Sequence, residues 1–98
     1  MNMETVQQAL HYEAMAVGLA LAASKPRSCL YVQVDDALMH QDWDFLRDLW
    51  GALRTLPAHE QSLLRGRAGN PMQLGEAVSH LEASFYIQAA WQPESGSA

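Results

Sequence analysis

One cysteine, Cys29, leaves no partner for an internal disulfide and rules out a zinc site built from cysteines. A lone thiol suits a reducing compartment, and its small apolar side chain suits a place in the core. Charge is scarce as well. Charged residues make up 17% of the chain, with 6 basic against 11 acidic and a net charge of -5. That balance repels a phosphate backbone, so direct binding to DNA or RNA is disfavoured. No apolar run is long enough to span a bilayer: the stretch Ala14 to Ala23 is too short. The residues ahead of it include Glu4 and Glu13 and no lysine or arginine, so the basic leader of a secretory signal is missing. The expected location is the cytoplasm, without membrane association.

Apolar residues, by contrast, are plentiful at 49%, which with so little charge excludes disorder of the whole chain. A length of 98 residues allows one domain with one modest core, near the size at which oligomerisation commonly supplies missing buried surface. A homodimer is therefore expected. The expected layout is a single helical domain over 1–92 and a disordered polar tail over 93–98, with no internal repeat.

Periodicity assigns the fold class as all-α, three main amphipathic helices plus a short one. From Met3 to Ser24 the chain is rich in helix formers, and Met3, Val6, Leu10, Ala14, Val17 and Leu21 step by threes and fours. Gly18 and the alanines beside it predict close approach of another helix. Lys25-Pro26 ends this first helix, since proline excludes the helical region for its predecessor and lacks an amide hydrogen.

The strongest stripe runs from Met39 to Leu56. Met39, Trp43, Leu46, Trp50 and Leu53, widened by Leu49 and Leu56, share one face and leave Asp42, Asp48 and Arg54 on the other. Alternation by two would scatter Leu49 and Trp50 onto both faces, so a strand is excluded. Asp35 and Asp36 stand where an N-cap and first-turn carboxylates belong, which predicts one helix from there to Leu56, stopped by Pro57. Gly51 beside Trp50 again points to close packing.

Between the two helices, residues 28–34 (SCLYVQV) are dense in β-branched and aromatic residues. An extended segment or an early start of the second helix is favoured over a strand, which would need a partner across a dimer axis. Ala58 to Arg65 predicts a short helix with Leu63 and Leu64 inward, followed by a turn-rich loop at 65–69. Asn70 as N-cap, Pro71 in the first turn and Gln73 as a capping-box partner open the last helix. Its apolar face is Leu74, Val78, Leu81 and Phe85, with Ile87 and Trp91 near the end and Glu76 and Glu82 outward; Pro93 stops it.

No catalytic constellation is visible, and the expectation is a protein that is not an enzyme. Gly66 and Gly69 lack the lysine and the preceding strand of a phosphate loop. His11, His40, His59 and His80 are spread without paired ligand spacing, and His40 with Asp44 makes only an incomplete pair, so neither metal nor cofactor is expected. The acidic residues Asp35, Asp36, Asp42, Asp44 and Asp48 suggest either a docking surface for a basic partner or a solvated helix face, the latter favoured. Arg54, Arg65 and Arg67 either form a local basic patch or, as is favoured, pair with surface acids and helix-end carbonyls. Large aromatics exceed what a small monomer readily buries, and such residues anchor interfaces. The candidate partner or dimer interface is therefore Trp43, Leu46, Trp50, Phe85, Tyr86 and Trp91.

From Leu49 onward, the succession LWGALRTLP, AGNP and EAVSHLEASFYIQAA resembles the C-terminal part of the TraM/QslA-like quorum-sensing antiactivators. The residues carrying the likeness are Leu56-Pro57, Gly69-Asn70-Pro71 and Glu82-Ala83-Ser84, and it covers under half of the chain. The resemblance implies a small helical homodimer that binds a LuxR-type transcription regulator and blocks its dimerisation or DNA binding. The alternative is a small acidic secretion chaperone or assembly adaptor.

Overall fold

The computed structural model describes residues 2–67 and 70–91. They fold into α1 (Met3–Ser24), α2 (Cys29–His40), α3 (Trp43–Arg54), α4 (Ala58–Leu64) and α5 (Leu74–Trp91), with a 3-10 turn at Pro71–Gln73 leading into α5. Among the described residues there is no strand, so the chain is all-α. The tail expected over 93–98 and the motif residue Gly69 lie outside the described residues. No helix among those described is long and apolar enough to cross a membrane.

Short polar side chains start α1, α2 and α3 by satisfying first-turn amides that have no partner within the helix. Asn2 Oδ1 accepts from the Thr5 amide at 2.8 Å, Ser28 Oγ from Tyr31 at 3.1 Å and Asp42 Oδ1 from Phe45 at 3.2 Å. At the 3-10 turn, Asn70 Oδ1 accepts from the Met72 amide at 2.9 Å. Lys25, the residue before Pro26, leaves the helical region at φ -140° and ends α1 as expected.

Of the two readings favoured for residues 28–34, the early helix start holds and the extended segment does not: apart from the cap Ser28 they form the first half of α2. Leu30, Val34 and Ala37 step by four and three and are all buried, so packing overrides the β-branched composition. Asp35 and Asp36 therefore lie inside a helix, exposed, and cap nothing at its start. The long helix through Met39 to Leu56 is in fact broken at Gln41, which adopts the left-handed conformation (φ 54°, ψ 46°). The Asp42 amide donates back to the Ala37 carbonyl at 3.0 Å while its side chain caps α3.

Core geometry gives the reason. Ala37 and Leu46 are nine residues apart, about two and a half turns at ~3.6 residues per turn, so one continuous helix would point them to opposite sides. The break lets Leu30, Val34 and Ala37 share a core with Leu46, Leu49 and Leu53. Met39, outside that core, is 72% exposed.

The hub is α1 rather than the tryptophan helix. It packs against α2, α3, α4 and α5, and its Leu10, Ala14, Val17 and Leu21 are buried among all of them. From α4 come Leu63 and Leu64, and from α5 Ala77, Val78, Leu81 and Phe85. Each fully buried leucine contributes about 1.5–3 kcal/mol relative to exposure. Between α1 and α3, Leu10, Ala14, Val17, Leu46, Leu49 and Leu53, with Glu13 and Trp50, leave a gap of only about 10 Å³.

Cys29 is exposed at the first position of α2, not a core residue. The close contacts expected at the glycines are ordinary ones. A Cβ on Gly18 would sit 3.7 Å from Val34 Cγ1, and one on Gly51 3.9 Å from Gln88 Oε1.

Candidate functional site

Large apolar side chains that the core leaves uncovered lie on α1, α2 and α5 and at the 3-10 turn, and Tyr12, Met15 and Leu19 on α1 fall in a line. The inner face of α1 is used up by Leu10, Ala14, Val17 and Leu21, yet Tyr12, Met15 and Leu19 form a second stripe with exposures of 68%, 45% and 73%. Spacings of three and four put these three side chains on one outward line. An exposed apolar line of this kind marks a candidate contact surface.

Beside that stripe, α1 and α2 enclose an open groove of about 220 Å³, lined by Met15, Gly18, Leu19 and Ala22 from α1 and Tyr31, Asp35 and Leu38 from α2. Its lining is mostly apolar, with one carboxylate at its edge. Packing of α1 on α2 through small residues opens it, since neither Gly18 nor Ala22 projects a large side chain into it. This surface was not among the interface residues expected from the sequence. The signal for it is nonetheless present, because Tyr12, Met15 and Leu19 repeat at helical spacing on the face opposite Ala14 and Val17.

The expected interface residues have diverse placements. Leu46 is 1% exposed and Phe85 8%, so both are core residues and offer no surface to a partner in this conformation. Trp43 and Trp50 are half-buried against the core, and the Arg54 guanidinium lies over the Trp50 ring at 4.7 Å. Tyr86 is partly exposed; its ring meets Phe85 edge-on at 5.5 Å, and its hydroxyl donates to Gln33 Oε1 at 3.4 Å. Burial raises the Tyr86 phenol above its ordinary value, and the neighbouring Cys29 and Glu82 add to the effect. Trp91 is the last residue of α5, and its side chain lies outside what the structure describes.

The charged residues sort themselves by partner. Arg65 Nε donates to Glu13 Oε2 at 2.6 Å and Arg67 Nη2 stands 3.8 Å from Glu13 Oε1, so these two arginines pair with an acid on α1. Lys25 meets Glu82 at 2.7 Å, tying the end of α1 to α5. Of the acidic residues, Asp36 pairs with His40 at 3.2 Å, Asp44 with Arg47 at 3.6 Å, Asp42 is a cap, and Asp35 lines the groove. His40 thus faces back to Asp36 and not forward to Asp44.

A second polar cluster escaped the sequence reading. Glu60 on α4 is 6% exposed; its Oε2 lies 2.7 Å from His80 Nδ1, and its Oε1 has no hydrogen-bond partner among the described residues. Glu76, one turn before His80 on α5, completes a group whose ligand atoms all lie within 4.8 Å of one another. Two signals were available. Glu76 and His80 are four residues apart, and Glu60 shares the inward register of Leu63 and Leu64.

Comparison of the chain with protein-family models, with curated proteins and with solved structures returns no match.

Proposed function

We propose that this chain is a small regulatory protein that works by binding another protein, with the α1–α2 groove as its docking surface. The single observation carrying this reading is the 220 Å³ apolar groove, flanked by Tyr12, Met15 and Leu19 exposed in one line. A groove between two helices takes an amphipathic helix whose apolar side chains are spaced by threes and fours. Asp35 at the groove and the exposed Asp36 beside it on α2 favour a partner helix with basic residues next to its apolar stripe. No chemistry on the groove lining calls for catalysis, and the chain acts by stoichiometric masking rather than turnover.

The partner class comes from the antiactivator resemblance: a LuxR-type transcription regulator, held in the cytoplasm so that it cannot dimerise or bind DNA. The residues carrying that resemblance act in the fold as punctuation. Leu56-Pro57 turns α3 into α4, Asn70-Pro71 opens the turn before α5, and Ser84 Oγ lies 2.7 Å from Thr55 Oγ1 where α5 crosses the end of α3. They hold the scaffold, while α1 and α2 meet the partner.

The test is titration of the purified chain into LuxR-type regulators of its source organism, each bound to fluorescent operator DNA. Release of DNA at stoichiometric chain, abolished by Leu19→Asp with Met15→Ser, supports the reading. DNA binding unaffected at saturating chain overturns the regulator assignment, and capture of a secreted subunit by the same groove would replace it with the adaptor reading. Light scattering tests the homodimer. A dimer dissociated by the groove substitutions would place a second copy in the groove and overturn the partner-helix assignment.

A further inference from the structure

We propose that Glu60, Glu76 and His80 form a binding site for a divalent transition-metal ion at the contact between α4 and α5. The three side chains converge from two helices, with ligand atoms all within 4.8 Å of one another, close enough that small side-chain shifts bring them to the ~2.0–2.2 Å ligand distances of a single ion. Glu76 and His80 are one turn apart on α5 and so project from the same face, while Glu60 reaches them from α4.

The buried carboxylate carries the inference. Glu60 is 6% exposed, its Oε2 is within hydrogen-bond distance of His80, and its Oε1 is enclosed without a partner among the described residues. An unpartnered oxygen on a buried carboxylate is costly, and proteins seldom leave one without a ligand or water. A cation between the three side chains supplies the missing interaction to the Glu60 carboxylate and neutralises the paired charge of Glu60 and Glu76.

One imidazole nitrogen with two carboxylates suits a first-row transition ion, because imidazole contributes little to calcium or magnesium sites built from oxygen. Three protein ligands leave at least one coordination position for water, on the side where His80 is half-exposed. The ion would clamp α4 to α5 across the loop that joins them.

Calorimetric titration of the full chain with zinc chloride tests this, accompanied by melting with and without the metal. The expected result is saturation at one equivalent with a raised melting temperature. His80→Ala and Glu76→Gln should each weaken binding by more than the ~10–100-fold that loss of an outer-shell partner costs. His40→Ala and His59→Ala should leave affinity unchanged. Glu76 is exposed, so Glu76→Gln keeps the fold, whereas His80→Ala removes the partner of the buried Glu60 carboxylate and Glu60→Gln bears on the buried core; circular dichroism checks the fold of each variant. Cobalt in place of zinc gives visible d–d absorption that should vanish in His80→Ala. Absence of saturable binding, or undiminished affinity in His80→Ala and Glu76→Gln, would falsify the site and assign the Glu60 oxygen to water.

Discussion

Glu13 and Arg65 meet at 2.6 Å, joining the middle of α1 to the residue that ends α4, with their side chains only 24% and 18% exposed. A pair this sheltered is less screened than a surface bridge, and its geometry is that of a charge-assisted hydrogen bond. Glu13→Gln or Arg65→Met should each lower stability by about 1–2 kcal/mol. A double-mutant cycle by urea unfolding should return a coupling of the same sign; additive effects would show that the pair contributes no interaction of its own.

At the break between α2 and α3, Gln41 holds a left-handed backbone that costs a residue with a Cβ about 1–2 kcal/mol. Gln41→Gly should raise stability by about 0.5–1 kcal/mol after allowance for the freer unfolded chain. Asp42→Ala should lower it by about 1 kcal/mol through loss of the cap to Phe45. Opposite signs at adjacent positions in a denaturation series would be hard to obtain from a continuous helix.

Gly18 lies in the interior of α1, and the nearest atoms to an added Cβ are side-chain carbons at ordinary contact distance. Gly18→Ala should therefore stabilise the protein by about 0.5–1 kcal/mol, the helix-propensity difference between the two residues. A fall in melting temperature would mean that α2 sits closer to α1 than the structure places it.

Tyr12 and Leu19 contribute little to the monomer core. Tyr12→Ser and Leu19→Ser should each change unfolding free energy by no more than about 0.5 kcal/mol, while weakening the helix docking proposed for the α1–α2 groove. Loss of stability comparable with a core truncation would assign this stripe to folding instead.

Tyr86 is raised above its ordinary value first by burial, so the fold favours its neutral phenol. By linkage, its contribution to stability is complete below the unfolded-state value of about 10 and is lost as pH rises through the higher folded value. Ultraviolet titration should show a tyrosinate step above the ordinary range that disappears in Tyr86→Phe.

Much of this architecture was decided locally. The three-and-four spacing of Leu10, Ala14, Val17 and Leu21 and the proline after Lys25 set α1; Asn70-Pro71 set the turn before α5, and Leu63 and Leu64 the inward face of α4. Such features depend on a few neighbouring residues, so the chain alone determines them. Tertiary packing decided the rest. Whether 28–34 became helix depended on α1 offering a surface to Leu30 and Val34, and the break at Gln41 on the need to turn two apolar stripes toward one core. The candidate sites were least legible, because the groove and the Glu60–Glu76–His80 cluster each join side chains from two helices, and only the packing of those helices brings them together.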